Sequence, residues 1–478
     1  MRARYVSVVA AVVALVVPLS GQAAQAAPTD GVIMIDRGTV HQVIDGFGVS
    51  QAFQRASLIN GARGLSPQKQ REVLDLLFSQ ETGAGLSILR LGIGSSADDP
   101  YDLMKSIQPV DPGGPNAPPR YEWDGYDGGQ VWLAQQAKAY GVTRFYADAW
   151  SAPGYMKTNG TDNNGGSLCG LAGAECASGD WRTAYANYLV QYAKFYAQEG
   201  IRITDLGFTN EPDWTASYAS MRFTPAQAVE FTKVLGPIAN RAGLKLVCCD
   251  TVGWAGQRTY TEAIEADPDA RKWVKTHAGH MYGSAPTSPL PTTRRTWMSE
   301  WSPNGTTWNE AWDDGSGYDG LTVANAVHDA LTLGNVNGYV YWLGASLGAT
   351  RAFLQIASEG DAYQVSKRLW AFAAYSRFIR PGAVRVDAVT GVPGLKVSAY
   401  RNADGTRVIE ALNTGTSEVT VDLNAGAGAA TSYRTDEAHS LAPTDAVSGS
   451  GQARVARLAP RALTTIVIDP QANANGAA

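Results

Sequence analysis

From residue 43 to residue 380, short apolar runs alternate with longer stretches of helical period. The short runs are "IDGFGVS", "LSILRLGIG", "TRFYADAWS", "ITDLGFTNE", "LKLVCCD", "AGHMYG", "RTWMSEW" and "NGYVYWLGA". Their length and β-branched or aromatic content predict eight buried strands. Between them lie "SPQKQREVLDLLFS", "GGQVWLAQQAKAYG", "DWRTAYANYLVQYAKFYAQEG", "TPAQAVEFTKVLGPIANRAG", "TYTEAIEA" with "ARKWVKTH", and "TVANAVHDALTLG"; "AYQVSKRLWAFAAYSRFI" follows the last strand. These read as helices, and several open on Ser, Thr or Asp and close on Gly. The link between the sixth and seventh strands has no helical period, so its helix is expected to be short or lost. Eight strands alternating with helices predict a (β/α)8 barrel over 43–380. No Gly-rich fingerprint follows the first strand, which argues against a doubly wound dinucleotide fold.

After Pro381-Gly382 the helical period gives way to short alternating runs such as "GLKVSAYRN", "TRVIEALNTG", "SEVTVDLNA" and "RALTTIVIDP". Separated by Gly, Asn and Asp turns, they predict an antiparallel β-sandwich over 381–470. The run "GVIMIDRGTVHQVI" ahead of the barrel also reads as strand, so residues 28–42 are expected to join that side domain. Residues 471–478, "QANANGAA", read as a disordered tail. No internal repeat is present.

The first 27 residues change the setting. Two arginines, an apolar run from Tyr5 to Leu19, and small residues ending at Ala26 and Ala27 have the pattern of a secretory signal peptide. The run is short for a bilayer span and Pro18 interrupts it. The expected protein is secreted and extracellular, a monomer with no membrane partner. A net charge of −5 argues against nucleic acid as well. In an oxidising compartment Cys169 and Cys176, flanking "CGLAGAEC", are the expected disulfide. Cys248 and Cys249 are adjacent, and two buried thiols are expected there. No cysteine spacing resembles a zinc site, and no metal or cofactor is expected. The 13 Trp and 21 Tyr suit both a large core and the stacking of flat rings, sugars included.

In such a barrel chemistry sits at the C-terminal ends of the strands. The fourth strand ends in Asn210-Glu211-Pro212 and the seventh in Glu300. Either glutamate alone would be read as a loop salt bridge. Together, on non-adjacent strands facing across the barrel mouth, they form the minimum equipment for glycoside hydrolysis, an acid and a second carboxylate. Phe208, Trp214, Trp297 and Trp301 are expected to surround them and raise a carboxyl pKa by burial. Asn210 suits a sugar hydroxyl, and Pro212 stiffens the turn. The third strand end offers Trp150 as a stacking floor, with Lys157 and Asn159 as polar reach. The sixth offers His280 and Tyr282, the latter placed to hold a carboxylate ionised. The eighth offers Tyr341 and Trp342 as a ring platform.

The stretches "IDGFGVSQAF", "WSAPGYMKTNG", "GFTNEP", "WMSEW" and "YWLGA", in this order, resemble glycoside hydrolase family 30, from about residue 35 to the C-terminus. The resemblance implies a retaining double displacement, with Glu211 as acid/base and Glu300 as nucleophile. It also implies carboxyl groups about 5–5.5 Å apart and no metal or cofactor. "GFGVSQAFQRA", the Cys169–Cys176 stretch and "VCCDTVGW" look like the xylan-active branch known mostly from fungi, in which the matching Arg55 would grip a glucuronic acid branch. The implied partner is plant cell-wall xylan. β-1,6-Galactan or another β-glycan is the alternative within the family. A non-catalytic carbohydrate-binding barrel is a further alternative, against which both glutamates stand. Two features depart from the pattern. Ala147-Asp148-Ala149 stands where Ser-Pro is common, with Asp148 expected to add charge near the non-reducing side. The second-strand loop "GSSADDPYDLMKSIQPVDPGGPNAPPRYEWDG" is long, and is expected to close one end of the groove.

Overall fold

The computed structural model describes residues 29–61, 64–348, 351–451 and 453–471. The expected leader (1–27), and all of the expected tail except Gln471, lie outside them. Strand β1 (Gly31–Val43) belongs to the side domain. The barrel follows as β2 (Gly46–Ser50), β3 (Ile88–Ile93), β4 (Arg144–Ala149), β5 (Asp205–Leu206), β6 (Lys245–Thr251), β7 (Val274–His280), β8 (Arg295–Glu300) and β9 (Gly338–Leu347). Each pairs in parallel with the next, and β9 pairs in parallel with both β8 and β2, which closes the ring.

The helices form where capping chemistry and period agree. Ser66 accepts from the Lys69 amide with Pro67 in the first turn, opening the helix Pro67–Phe78. Thr224 and Gln227 make a reciprocal capping box ahead of Pro225–Arg241. No helix is assigned between β7 and β8, as the missing period predicted. The segment "ARKWVKTH" is a correction. Helix is confined to Pro268–Arg271, and Val274 already opens β7. Val274 and Thr276 are buried on either side of exposed Lys275, so a period of two overrides the helical reading. Two strands were also absent from the sequence reading. β10 (Ala352–Ile356) extends β9 in parallel and β11 (Tyr363–Val365) returns antiparallel, so the last barrel helix begins only at Lys367.

The side domain uses β12 (Val384–Thr390), β13 (Leu395–Arg401), β14 (Arg407–Asn413), β15 (Val419–Asn424), β16 (Ala429–Thr435), β17 (Ala442–Thr444), β18 (Val447–Ser450), β19 (Ala453–Leu458) and β20 (Ala462–Asp469). Strand β1 sits between β12 and β15, antiparallel to the first and parallel to the second, so both ends of the chain build one curled sheet. Its core is Ile33, Val386, Ile409, Val421, Leu423 and Ile466. Arg461 forks onto both oxygens of Asp313 at 2.5 and 2.6 Å and ties this domain to the loop after β8.

The barrel interior is layered. A lower polar layer holds Asp45 against Arg144 and Arg295. A small apolar plug of Tyr146, Val247, Ala278 and Trp297 lies above it. The upper layer, at the strand ends, is charged and carries the candidate site. Cys169 and Cys176 are bridged. Cys248 and Cys249 are a second correction. They are joined as a vicinal disulfide rather than standing as two thiols, and the peptide between them is cis, bringing their Cα atoms to 3.0 Å.

Candidate active site

Strands β5 and β8 deliver the two glutamates to the same space. One oxygen of Glu211, one of Glu300 and a ring nitrogen of His280 all lie within 4.8 Å of one another. Glu300 is the last residue of β8 and is buried. Glu211 lies just past β5 with φ near 48°, a left-handed conformation that a non-glycine residue adopts only when its surroundings hold it there. What holds it is a 2.7 Å hydrogen bond from its amide to the carbonyl of Asp250, at the end of β6.

Arg90 of β3 organises this layer. Its guanidinium is fully buried. It donates to Glu300 Oε2 through Nη1, and to Asp148 Oδ2 at 2.7 Å and Asn210 Oδ1 at 2.6 Å through Nη2. Its plane lies over the Trp150 ring, 4.5 Å from the centroid. Burial works against the Arg90 charge, but Glu300, Asp148 and Asp250 outweigh it and hold the cation firmly. Because Asn210 spends its oxygen on Arg90, its amide NH2 is the end left to face a ligand. Gly207 makes room for the arrangement, since a Cβ there would meet Asp148 Oδ1 at 2.1 Å.

Glu300 also accepts from the Tyr282 hydroxyl at 3.0 Å, and Glu211 from the Tyr218 hydroxyl at 3.2 Å. His280 spans the pair. Its Nδ1 is 3.1 Å from Glu211 Oε1, and its Nε2 is 3.7 Å from Asp250 Oδ1 and 4.0 Å from Glu300 Oε2. Burial pulls the His280 pKa down, yet Glu300, Asp250 and Glu211 push it up to about 10, so the ring is a cation at neutral pH. Burial raises the Glu300 pKa and Glu211 adds to this, while His280 and Arg90 oppose it. Burial prevails and the Glu300 pKa stands above the ordinary carboxylate value, with the hydrogen bond from Arg90 working toward the ionised form. Of the two buried aspartates, Asp148 is raised by burial and by Asp250, with Arg90 opposing. Asp250 is lowered: burial opposes its charge, but His280, Arg90 and Ser299 outweigh it. Tyr146 donates to Asp250 at 2.6 Å. Arg90 and His280 thus stand among the carboxyl groups of Asp148, Glu211, Asp250 and Glu300, which pair them within the buried layer.

The structure brings together Glu211, Glu300, Asn210, His280, Tyr282, Trp150 and Trp342. Phe53 joins the two indoles, at 5.4 Å from Trp150 and 6.2 Å from Trp342 between ring centroids. Trp342 is half-buried and Trp150 buried beneath it. Other expectations are corrected. Tyr341 faces away from the mouth and stacks on Phe353, because neighbouring strand residues point to opposite sides. Lys157 is buried, donating to Ser151 Oγ, Ser220 O and Asp162 O, and clasps two loops instead of reaching the cleft. Asn159 caps its own loop through the carbonyls of Asn163 and Gly165. Asp148 is fully buried and accepts from Arg90. Trp297 belongs to the barrel plug and Trp214 is 54% exposed, so burial of the glutamates comes mainly from other groups. Arg55 sits at the rim, paired with Asp102 at 2.5 Å.

Sequence reasoning missed Arg90, Asp250, Tyr218 and Phe53. Arg90 carried a signal, being the one charge inside the apolar run "LSILRLGIG". Asp250 ends "LKLVCCD" at a strand terminus, the position used to find the glutamates.

Two carboxyl groups this close can act on one carbon, one protonating a leaving oxygen while the other attacks or stabilises the cation. Comparison with known proteins agrees with that chemistry. The chain matches the model of O-Glycosyl hydrolase family 30 over residues 30–277, and that of the Glycosyl hydrolase family 30 beta sandwich domain over 382–442. A solved structure, the catalytic domain of GH30 xylanase C from Talaromyces cellulolyticus, is 40% identical. It superposes with a TM-score of 0.86, covering 92% of this chain and 100% of that one. Glucuronoxylanase XynC of Bacillus subtilis is 26% identical over 357 residues, 71% of this chain and 77% of that protein. Endo-1,6-beta-D-glucanase neg1 of Aspergillus fumigatus is 26% identical over 423 residues, 81% of this chain and 82% of its own.

Proposed function

Since the chain belongs to glycoside hydrolase family 30, we propose that this glycosidase cleaves β-1,4-xylosidic bonds in xylan and glucuronoxylan by double displacement. The observation that carries the mechanism is the Glu211–His280–Glu300 cluster within 4.8 Å. That closeness supports the retaining arrangement, about 5–5.5 Å between carboxyl groups, over an inverting pair at roughly 6.5–9.5 Å. In the first step a Glu300 carboxylate oxygen bonds to the anomeric carbon while Glu211 gives its proton to the departing glycosidic oxygen. In the second, water attacks that carbon, Glu211 takes the water's proton and Glu300 leaves. Arg90 and Tyr282 hold Glu300 as the ionised nucleophile. His280 orients Glu211 from below and Tyr218 holds its other oxygen. Asn210 turns its NH2 toward a substrate hydroxyl, and Trp342 offers a sugar its ring face.

The choice of xylan is supported by the 40% identity to a xylanase over nearly the whole chain. A β-1,6-linked glycan is the second reading, favoured by the similarity to an endo-1,6-glucanase over 81% of this chain. Glucuronoxylan, β-1,6-galactan and β-1,6-glucan digested side by side separate the two readings. Xylo-oligosaccharides are expected from the first. Products from a β-1,6-glycan with xylan untouched would overturn the substrate. We further propose that the enzyme works outside the cell. The signal-peptide pattern of the first 27 residues supports this.

A further inference from the structure

The rim of the cleft holds an arginine whose fork is already in use. Arg55 donates through Nε to Ser346 Oγ at 3.1 Å, through Nη1 to the Phe53 carbonyl at 2.6 Å, and through Nη2 to Asp102 Oδ1 at 2.5 Å. Its guanidinium lies over the Tyr101 ring, 5.2 Å from the centroid. All three nitrogens therefore serve acceptors of the protein. Arg55 is two residues from Phe53, which packs on Trp150, Trp342 and Tyr218 at the cleft wall, so the pair stands beside the sugar-binding surface.

Asp102 is presented by a braced loop. The stem is pinched by a parallel bridge between Ser96 and Lys105, with Ser106 donating to the Ser96 carbonyl at 2.8 Å. The tip is pinned to the first-strand loop by Gln54, which donates to Asp99 Oδ1 at 3.0 Å and to the Pro100 carbonyl at 2.9 Å. Asp102 itself has φ near 75°, in the left-handed region, and its side chain is 59% exposed. An ion pair so exposed contributes little to stability. Its chemical content is that Arg55 already holds a carboxylate, the same group that a uronic acid branch would present to it.

We propose that Asp102 is a specificity-determining residue. Its carboxylate stands in for a uronic acid branch on Arg55, so a decorated chain binds only by displacing it, against both the lost ion pair and like-charge repulsion. The enzyme is thereby tuned to accept undecorated stretches alongside decorated ones. This rests on the reading of the cleft as a xylan site.

The test compares wild type, Asp102→Asn, Arg55→Ala and the double variant on two oligosaccharides with the same xylose backbone, one bare and one carrying a single 4-O-methylglucuronic acid. Asp102→Asn is expected to raise the decorated-to-bare ratio of kcat/KM about threefold or more, mainly through KM, and the double variant to lose that gain. An unchanged or lower ratio in Asp102→Asn overturns the proposal and makes Asp102 a mere brace for Arg55. If wild type cleaves neither oligosaccharide, the substrate reading has failed. The stand-in role is then read from binding of free glucuronate, titrated into Glu300→Gln with and without Asp102→Asn. Tighter binding without the carboxylate supports it, and equal binding overturns it. Thermal unfolding of each variant separates these outcomes from misfolding.

Discussion

The floor of the cleft and its rim are built from the same residue types and behave differently. On the floor Arg90 meets Glu300 and Asp148 in full burial, among strand ends that cannot shift without opening the barrel. On the rim Arg55 meets Asp102 on a loop tip, with the carboxylate more than half in water. Breaking the buried pair leaves an uncompensated charge, typically a cost of about 3–5 kcal/mol, whereas the exposed pair is worth roughly 1 kcal/mol or less. The floor is therefore suited to chemistry, which needs fixed geometry. The rim is suited to selection among substrates, where a small and displaceable interaction is enough.

The sharpest way to break this comparison is at the floor. Glu300→Gln keeps the shape but removes the nucleophile, and kcat should fall by roughly a thousandfold or more, about 4 kcal/mol of barrier, with unfolding temperature little changed. Glu211→Gln should cost roughly a hundredfold on xylo-oligosaccharides. The loss should be much smaller on an aryl xyloside whose leaving group needs no proton, which separates an acid from a binding group. Equal losses on both substrates would contradict the role given to Glu211.

His280 sharpens the comparison through pH. Its folded pKa is raised to about 10 from an unfolded value near 6.5. The folded state thus holds a proton the unfolded state releases. The stability this contributes is fully present below about 6.5 and is lost as pH rises through about 10, a matter of a few kcal/mol. Denaturant titrations across that window should show the decline in wild type and a flatter profile in His280→Gln. A flat wild-type profile would mean the His280 cation is not part of the floor. Toward the rim effects shrink. Trp342→Ala should raise KM on xylo-oligosaccharides by about tenfold with a smaller change in kcat, as expected for loss of a stacking surface. Asp102→Asn should give the smallest change, the roughly threefold shift in decorated-to-bare preference.

The same division explains what could be read from the chain. Glu211 and Glu300 were legible only as a pair: either alone reads as a loop salt bridge, but the eight runs placed both at one barrel face. Arg90 was not, because the periodicity that marks a buried strand gives no reason for a guanidinium inside it. Its partners, Asp148, Asn210 and Glu300, come from two other strands and the loop after a third. Lys157 shows the converse. Its position after a strand end suggested reach into the cleft, yet hydrogen-bond acceptors from two neighbouring loops drew it inward. Local pattern likewise misassigned "VKTH", where pairing of β7 with β6 and β8 decides the conformation, and could not foresee that Cys248 and Cys249 are bonded to each other. Arg55 was located from a resemblance, but that its fork is filled by Asp102 depends on a contact 47 residues away in sequence.

The account stands most directly on Glu300 as the nucleophile of a retaining reaction. Incubation with an aryl 2-deoxy-2-fluoro-β-xylobioside, whose fluorine slows hydrolysis of the glycosyl-enzyme, followed by mass spectrometry of peptides, reports where the sugar is held. The account predicts one fluoroxylobiosyl group per chain, attached through an ester to Glu300 in the peptide containing "WMSEW". An adduct on Glu211 instead, or no adduct together with release of the α-anomer as first product from an unmodified xylo-oligosaccharide, would contradict it.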